Sequence, residues 1–151
     1  MRFLSPLIVV CDLKRSKAFY KKYLSLDVEA DFGVNVTLTG GISLQTLDTW
    51  VDFIGDVNIS FKGKAGELYF EEDDFNGFLQ NLDGLDLVHP PLEHTWGQRV
   101  VRFYDPDGHI IEVGENLSAV ARRFADCGLT VSEIAARMDV REEYVRQWLA
   151  F

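Results

Sequence analysis

One local pattern occurs twice in this chain and limits the folds open to it. A β-branched segment, Leu7 to Val10, is followed by Asp12 and then by apolar residues at helical spacing. Asp74 follows Asp12 by 62 residues, and the same helical spacing starts again at Phe75. Asp12 stands where an N-cap side chain accepts hydrogen bonds from the first amides of a helix. The acidic run from Glu71 to Asp74 stands at the start of the second helix, where carboxylates complement the helix dipole. The repeat predicts two similar modules in tandem.

The segments after each predicted helix also match. After the first we predict an extended stretch, a glycine turn and a strand at residues 34–38, 40–41 and 42–47. After the second we predict a Pro90-Pro91 loop, a strand, a turn and a strand at residues 90–91, 99–104, 105–108 and 110–113. The turn has the sequence Asp-Pro-Asp-Gly, in which proline fixes φ and glycine accepts a positive φ. These elements predict an α+β fold with modules at about residues 1–60 and 61–115.

From residue 116 onward the pattern changes to three short helices. The first should end at Gly128, because glycine takes the positive φ of a helix stop. Thr130 and Glu133 have the spacing of a capping box for the second helix, and Asp139 and Glu142 repeat it for the third. We therefore predict a helical tail at residues 116–151, appended to a domain at residues 1–115.

Composition and cysteine use indicate a cytoplasmic protein. The chain is 47% hydrophobic and 26% charged over 151 residues, which excludes disorder and a membrane span. Cys11 and Cys127 match no metal-binding or redox spacing, and we interpret them as buried free thiols. The apolar run from Leu4 to Cys11 is short and interrupted by Pro6, so we interpret it as a first β-strand and not as a signal peptide.

Several motifs together point to one superfamily. They are Pro6 to Leu13 with Ser16, Phe19 and Tyr20, then Trp96-Gly97, and the closing run Phe103 to Glu112. With these motifs, residues 3–115 resemble the vicinal oxygen chelate superfamily, which includes glyoxalase I, extradiol dioxygenases and the bleomycin resistance proteins. The resemblance implies tandem βαβββ modules whose strands form a curled sheet cup around a small organic ligand, often in a homodimer.

The resemblance also implies four metal-ligand positions, two in each module. They fall on Ser5 and Gln45 in the first module and on Glu67 and Glu112 in the second. This set has no imidazole and only two carboxylates, which is poor for metals that favour nitrogen or sulfur ligands. We therefore expect no metal cofactor. The alternative is a divalent ion, Mg, Mn, Zn or Ni, held by Glu67, Glu112 and Gln45.

Aromatic and charged side chains supply the candidate ligand contacts. Trp50, Tyr69, Trp96 and Tyr104 could form an aromatic wall for a planar ligand, or could fill the core and a dimer contact. Arg102 has the strand parity of Tyr104, so the two should share one face of the sheet. On the cup side Arg102 would suit an anionic substrate, and on the outer side it would be a solvated charge.

Three histidines are assigned structural roles. His89 and His94 flank Pro90-Pro91, and we interpret them as solvated loop residues rather than metal ligands. His109 follows the Asp-Pro-Asp-Gly turn, where we expect it to make a turn hydrogen bond.

The charge balance bears on nucleic acid as a partner. Fifteen Lys and Arg stand against 24 Asp and Glu, a net charge of -9 that repels a phosphate backbone. The tail resembles a helix-turn-helix, but its five arginines are balanced by five acidic residues. Glu142 and Glu143 also stand at the exposed start of its third helix. We expect the tail to cover the cup or a dimer edge and not to bind DNA.

Three functions remain open on the sequence. We favour a protein of the glyoxalase and bleomycin-resistance type that binds a small organic ligand, with Ser5 and Gln45 among its contacts. The alternative is a lyase or isomerase acting next to a carbonyl, with Glu67 or Glu112 as the catalytic base. A ligand-responsive DNA-binding regulator acting through the tail ranks third.

Overall fold

The computed structural model describes residues 1–55 and 58–150, so residue 151, the last of the predicted tail, lies outside them. The chain divides into two compact units. Unit 1 comprises Met1–Gly63 with Asp105–His109, and unit 2 comprises Lys64–Tyr104 with Ile110–Phe151.

Unit 1 contains the first βαβββ module. Its elements are β1 (Leu7–Val10), α1 (Leu13–Leu24), β2 (Val28–Asp31), β3 (Asn35–Leu38), β4 (Ile42–Thr46) and α2 (Leu47–Ile54). Sheet A has the strand order β1-β4-β3-β2, in which β1 runs parallel to β4 and the other pairs are antiparallel. The predicted N-cap is present, since Asp12 Oδ1 accepts from the amide of Arg15 at 3.0 Å. Helix α2 begins inside the segment predicted as a strand, at Leu47.

The Asp-Pro-Asp-Gly turn is bound to α1 by polar contacts within unit 1. The Tyr20 hydroxyl donates to Asp105 Oδ2 at 3.0 Å, and Arg15 forms an ion pair of 2.7 Å with Asp107. His109 Nδ1 lies 2.9 Å from Asp105 Oδ2, so the predicted turn hydrogen bond is present. Burial opposes ionisation of Asp105, but the bonds from His109 outweigh it and hold the pKa of this carboxyl below its ordinary value.

Unit 2 contains the second module and the tail. The module is built from β5 (Glu67–Glu72), α3 (Phe75–Leu79), β6 (Asp86–Glu93), β7 (Arg99–Tyr104) and β8 (Ile110–Glu115). Sheet B has the order β5-β8-β7-β6, the same arrangement as sheet A, with β5 parallel to β8. Asp74 caps α3 by accepting from the amide of Gly77 at 2.9 Å. The α+β class and the tandem βαβββ modules are thus confirmed, and each sheet is open.

The tail forms the predicted three helices, α4 (Leu117–Asp126), α5 (Val131–Met138) and α6 (Glu142–Leu149). They enclose a separate apolar core whose largest buried members include Phe124, Ile134 and Met138. Thr130 and Glu133 form the predicted capping box, with both side-chain bonds present.

Three sequence predictions about local structure are wrong. Asp139 does not cap α6 but ends α5 in the left-handed region at φ +54°, and α6 begins after Arg141 without a side-chain cap. Pro90 and Pro91 do not form a loop, because they lie in β6 at the edge of sheet B. An edge strand tolerates proline, since its outer amides have no strand to bond. Both cysteines are free, as predicted, but exposed rather than buried.

Among the described residues, no helix combines the length and apolar character needed to cross a lipid bilayer.

Candidate functional site

The register of sheet B places the polar residues of the second module on one face. Tyr69 on β5 pairs with Glu112 on β8, which pairs with Arg102 on β7. Two residues along β8 from Glu112, Ile110 pairs with Glu67 on one side and with Tyr104 on the other. Paired residues of neighbouring strands point to the same side of a sheet. We call the surface formed by Glu67, Tyr69, Arg102, Tyr104 and Glu112 the Arg102 face.

The Arg102 guanidinium joins the two carboxylates of this face. Its Nε donates to Glu67 Oε2 at 2.8 Å, and its Nη2 forms an ion pair with Glu112 Oε2. The third nitrogen, Nη1, lies 3.5 Å from Nε2 of His89 on β6. Strand parity therefore predicted the shared face of Arg102 and Tyr104 correctly.

Burial differs between the two carboxylates. The Glu112 side chain is 6% exposed, whereas that of Glu67 is 35% exposed. Within the described part of the chain, Glu112 Oε2 has no hydrogen-bond partner beyond that guanidinium contact. Removing one partner of a buried ion pair costs about 3–5 kcal/mol, because the other charge is left without compensation. Glu112 thus depends on Arg102, while Glu67 keeps access to solvent.

An exposed aromatic group extends the Arg102 face. The indole of Trp96 stacks on His94 with ring centroids 4.1 Å apart and 13° between the planes. Trp96 Nε1 donates to Gln98 Oε1 at 3.3 Å, and Gln98 Nε2 donates to the Tyr69 hydroxyl at 2.8 Å. Tyr69 and Trp96 are 48% and 36% exposed, so both rings remain accessible for contact.

His94 is held neutral near pH 7. Burial lowers the pKa of its imidazole, and the positive charge of Arg102 lowers the pKa further. The ring therefore adds an uncharged aromatic surface to the site rather than a cation.

Helix α4 supports the turn that carries Trp96 and Gln98. Arg123 Nη2 donates to the Gly97 carbonyl at 2.5 Å and forms an ion pair with Glu115 at 3.0 Å. Gly97 has φ +92°, and a Cβ atom there would overlap the Phe124 ring. The tail is thus connected to the candidate site through this turn.

In unit 1 the predicted site residues lie in a neutral network. Ser5 and Ser43 share a hydrogen bond of 2.9 Å. The buried Gln45 side chain accepts from Asn35 at 2.9 Å and donates to Thr49 at 2.6 Å. Trp50 lies on α2 and is partly buried.

The structure thus brings part of the predicted set together. The members that share the Arg102 face and its extension are Glu67, Tyr69, Trp96, Arg102, Tyr104 and Glu112. Ser5, Gln45 and Trp50 belong to unit 1. Sequence reasoning missed His89 and Gln98. The Pro90-Pro91 pair predicted a loop, so His89 was not assigned to a strand. The leucines at positions 87 and 92, which flank a strand-like segment, were the signal for the strand.

The residues at the four implied metal-ligand positions do not suit a metal ion. Gln45 uses its amide in bonds to Asn35 and Thr49, and both glutamates are bound to Arg102. Within residues 1–55 and 58–150, no three His, Cys, Asp or Glu side chains are grouped so as to hold an ion. A guanidinium between two carboxylates supplies the positive charge that a divalent ion would otherwise supply.

Comparisons with known proteins agree with this fold. A family model described as a glyoxalase-like domain matches residues 3–118. A protein of unknown function from Agrobacterium tumefaciens, solved by crystallography, is 39% identical with a TM-score of 0.69 and covers 77% of this chain and 94% of its own. A glyoxalase-related enzyme from Fulvimarina pelagi is 18% identical with a TM-score of 0.67 and covers 78% and 89%.

One curated relative also matches. The uncharacterized protein YraH of Bacillus subtilis is 27% identical over 124 residues, which is 75% of this chain and 97% of the relative. The match of the family model to most of the chain, together with the repeated βαβββ modules, shows that the chain belongs to the glyoxalase-like domain family.

Proposed function

We propose that this chain binds a small organic ligand against the Arg102 face, in the manner of a glyoxalase or bleomycin-resistance type binder, and that it does so without a metal ion. The observation that carries the proposal is the guanidinium of Arg102 between Glu67 and Glu112. Two carboxylates and one guanidinium leave a net charge of about -1 at this position, which favours neutral or cationic ligands over anionic ones.

The aromatic group supports the same proposal. Tyr69 and Trp96 are exposed, and Gln98 bonds to both of them. Aromatic side chains with fixed polar partners form flat apolar surfaces that suit planar ligands. A sheet that served only to support the fold would not need exposed aromatic side chains beside a charged group.

A screen of small planar neutral and cationic molecules tests this proposal. We expect a ligand that raises the melting temperature equally with and without EDTA. Trp96→Ala should weaken its binding at least about tenfold, since a buried aromatic contact contributes about 1.5 kcal/mol or more. Tyr144→Ala, which removes an exposed aromatic ring in the tail, is the matched control and should bind normally. Binding that disappears with EDTA would contradict the metal-free proposal.

A second candidate function rests on the accessibility of Glu67. Its carboxylate is partly exposed and lies beside a cation, so it could accept a proton from a carbon next to a carbonyl while Arg102 donates to the carbonyl oxygen. The C–H electron pair then forms a carbon–carbon double bond while the carbonyl π pair moves to the oxygen, which gives an enolate. This is the chemistry of an isomerase or lyase.

Solvent deuterium exchange into dicarbonyl compounds tests the enzymatic candidate. We expect exchange in the wild-type protein that is lost in Glu67→Gln and kept in Glu29→Gln, an exposed strand residue of unit 1. Exchange rates equal to the uncatalysed rate for all such compounds would leave only the binding function.

A homodimer and a cytoplasmic location remain predictions from the sequence. We do not propose nucleic acid as a partner, because Arg141 at the N-cap of α6 and Arg146 in its last turn are already paired. Arg141 binds Glu143 at 2.6 Å and Arg146 binds Glu142 at 2.6 Å.

A further inference from the structure

The Tyr69 hydroxyl takes part in a directional chain of hydrogen bonds beside the charged group. Gln98 Nε2 donates one hydrogen to the Tyr69 oxygen at 2.8 Å and the other to the Glu115 carbonyl oxygen at 2.9 Å. The orientation of the Gln98 amide is therefore fixed, because a carbonyl oxygen accepts and only the amide nitrogen can donate to it. Gln98 Oε1 then faces the Trp96 indole, which can only donate.

The same chain fixes the direction of the Tyr69 hydroxyl proton. The oxygen accepts from Gln98, so its own proton cannot point there. The proton is donated instead to Glu71 Oε1 at 3.1 Å. A phenol oxygen has two lone pairs, and within the described part of the chain one of them meets no donor. Towards a ligand, Tyr69 thus offers an acceptor and not a donor.

Gly114 on β8 leaves room for this arrangement. A Cβ atom at this position would lie 2.9 Å from Gln98 Nε2 and 3.2 Å from Tyr69 Cε2. A side chain there would displace the amide or the ring. The glycine therefore allows the Tyr69 hydroxyl to reach Gln98.

The charged group of the Arg102 face presents a second acceptor. Glu67 stands two residues before Tyr69 on β5, so the two side chains share a face, with Cα atoms about 7 Å apart. The Glu67 carboxylate is 35% exposed. Each nitrogen of the guanidinium already lies against a carboxylate or an imidazole of the protein. A ligand on this face therefore meets a carboxylate and a phenol oxygen, both of which suit N–H donors.

We propose that the ligand of the Arg102 face is a planar ring system with amino or amidinium N–H groups, which donate to the Tyr69 oxygen and to the Glu67 carboxylate. This inference rests on the proposed function and narrows it to one ligand class. Trp96 contacts the flat face of the ring, and the net negative charge favours a cation. Gln98 is a positioning residue, since it orients both the Trp96 indole and the Tyr69 hydroxyl.

Two fluorescent dyes of equal charge test the proposal. Proflavine and acridine orange are both planar acridine cations at pH 7, but the amino nitrogens of acridine orange are methylated and carry no hydrogen. We expect the wild type to bind proflavine at least about fivefold more tightly, measured by titration of dye fluorescence anisotropy. In Tyr69→Phe this preference should fall about fivefold, although acridine orange keeps its larger size.

Two further variants separate the hydroxyl from other effects. Tyr144→Phe removes an exposed hydroxyl in the tail that also accepts a protein hydrogen bond, from Arg141 at 2.8 Å, and it should keep the wild-type preference. Glu67→Gln removes one negative charge and should weaken the binding of both dyes by the same factor, about fivefold. The melting temperature of each variant checks that it is folded.

The proposal is overturned if proflavine does not bind, if the wild type binds the two dyes equally, or if the preference survives in Tyr69→Phe. Unchanged binding of both dyes by Glu67→Gln would also contradict it. The proposed function fails on different evidence, namely the absence of any ligand in the wider screen or binding that EDTA removes. A planar ligand that lacks N–H donors but depends on Trp96 would keep the proposed function and overturn this inference.

Discussion

Glu112 and Glu115 are both buried carboxylates on β8, but they differ in the number of their partners. Glu115 binds Arg99 at 2.8 Å and Arg123 at 3.0 Å, whereas Glu112 pairs with Arg102. They point to opposite faces of the sheet, because they are three residues apart on one strand. A carboxylate with two guanidinium partners is stabilised as an anion throughout the neutral range.

The first prediction concerns the pH dependence of stability through Glu115. Burial opposes its ionisation, but bonds from Arg99 and Arg123 outweigh it and hold its pKa below the ordinary value of 4.5. A carboxyl with a lowered folded pKa stabilises the fold above its unfolded pKa, and this contribution is lost as the pH falls through the folded pKa. The free energy of unfolding should therefore decrease as the pH falls below 4.5.

Denaturant titrations from neutral to acidic pH measure this effect. In Glu115→Gln we expect lower stability at pH 7 and a weaker decline with acid. Glu29→Gln, at an exposed position on β2, should keep the wild-type profile. An acid decline in Glu115→Gln as steep as that of the wild type would disprove the role of this carboxyl.

Single residues show why part of the site could not be predicted. Arg102 and Tyr104 could be assigned to one face because strand alternation depends only on sequence spacing. The partners of Arg102 could not be assigned, because they come from β5, β6 and β8 through the sheet register. His89 required knowledge that β6 continues through two prolines at an edge, where the register shifts.

The starts of helices α5 and α6 show how far a local sequence pattern determines where a helix begins. Helix α5 has both bonds of a capping box, while α6 begins at Glu142 without a side-chain cap. The sequence spacing was the same in both cases. Asp139 instead ends α5 in the left-handed conformation, which short polar residues tolerate.

The second prediction is that Thr130→Ala destabilises the tail by about 1 kcal/mol, because the amide of Glu133 loses its cap. Hydrogen exchange of the α5 amides measures this change directly. Ser132→Ala, an exposed substitution in the same turn, should have an effect within about 0.5 kcal/mol. Equal exchange rates in the two variants would contradict the capping role.

The fold of each module was the feature that the sequence predicted best. Capping aspartates, β-branched runs and the Asp-Pro-Asp-Gly turn are local signals, and the internal repeat doubled each of them. Helix α2 was missed because Leu47 continues the apolar pattern of β4 without a break. Helix α3 is only five residues long, so the apolar residues at helical spacing continue beyond its C-terminus.

The tail groups with the second module in unit 2. Arg123 and Phe124 on α4 hold Gly97, and Gly97 separates Trp96 from Gln98. Changes in the packing of the tail should therefore reach the aromatic group of the candidate site.

The third prediction compares two glycines with nearly equal φ. Gly97 and Gly128 have φ values of +92° and +87°, but a Cβ atom at Gly128 would meet open space. Gly128→Ala should cost about 1–2 kcal/mol from backbone strain alone. Gly97→Ala should cost clearly more, because the Phe124 ring must also move, and it should change Trp96 fluorescence. Equal costs for the two variants would show that Phe124 does not hold the turn.

The pairing of Arg102 with Glu112 also constrains how this protein could diverge. Loss of Arg102 leaves Glu112 as a buried charge, whereas Arg102 keeps its ion pair with Glu67 when Glu112 is lost, so the effect of a substitution at one position depends on the residue at the other. Drift at this pair would have to pass through an unstable intermediate. In sheet A the matching pair, Asn35 and Gln45, is neutral and hydrogen-bonded, so these two positions are open to stepwise change. New ligand specificities in descendants of this chain should therefore accumulate first in unit 1.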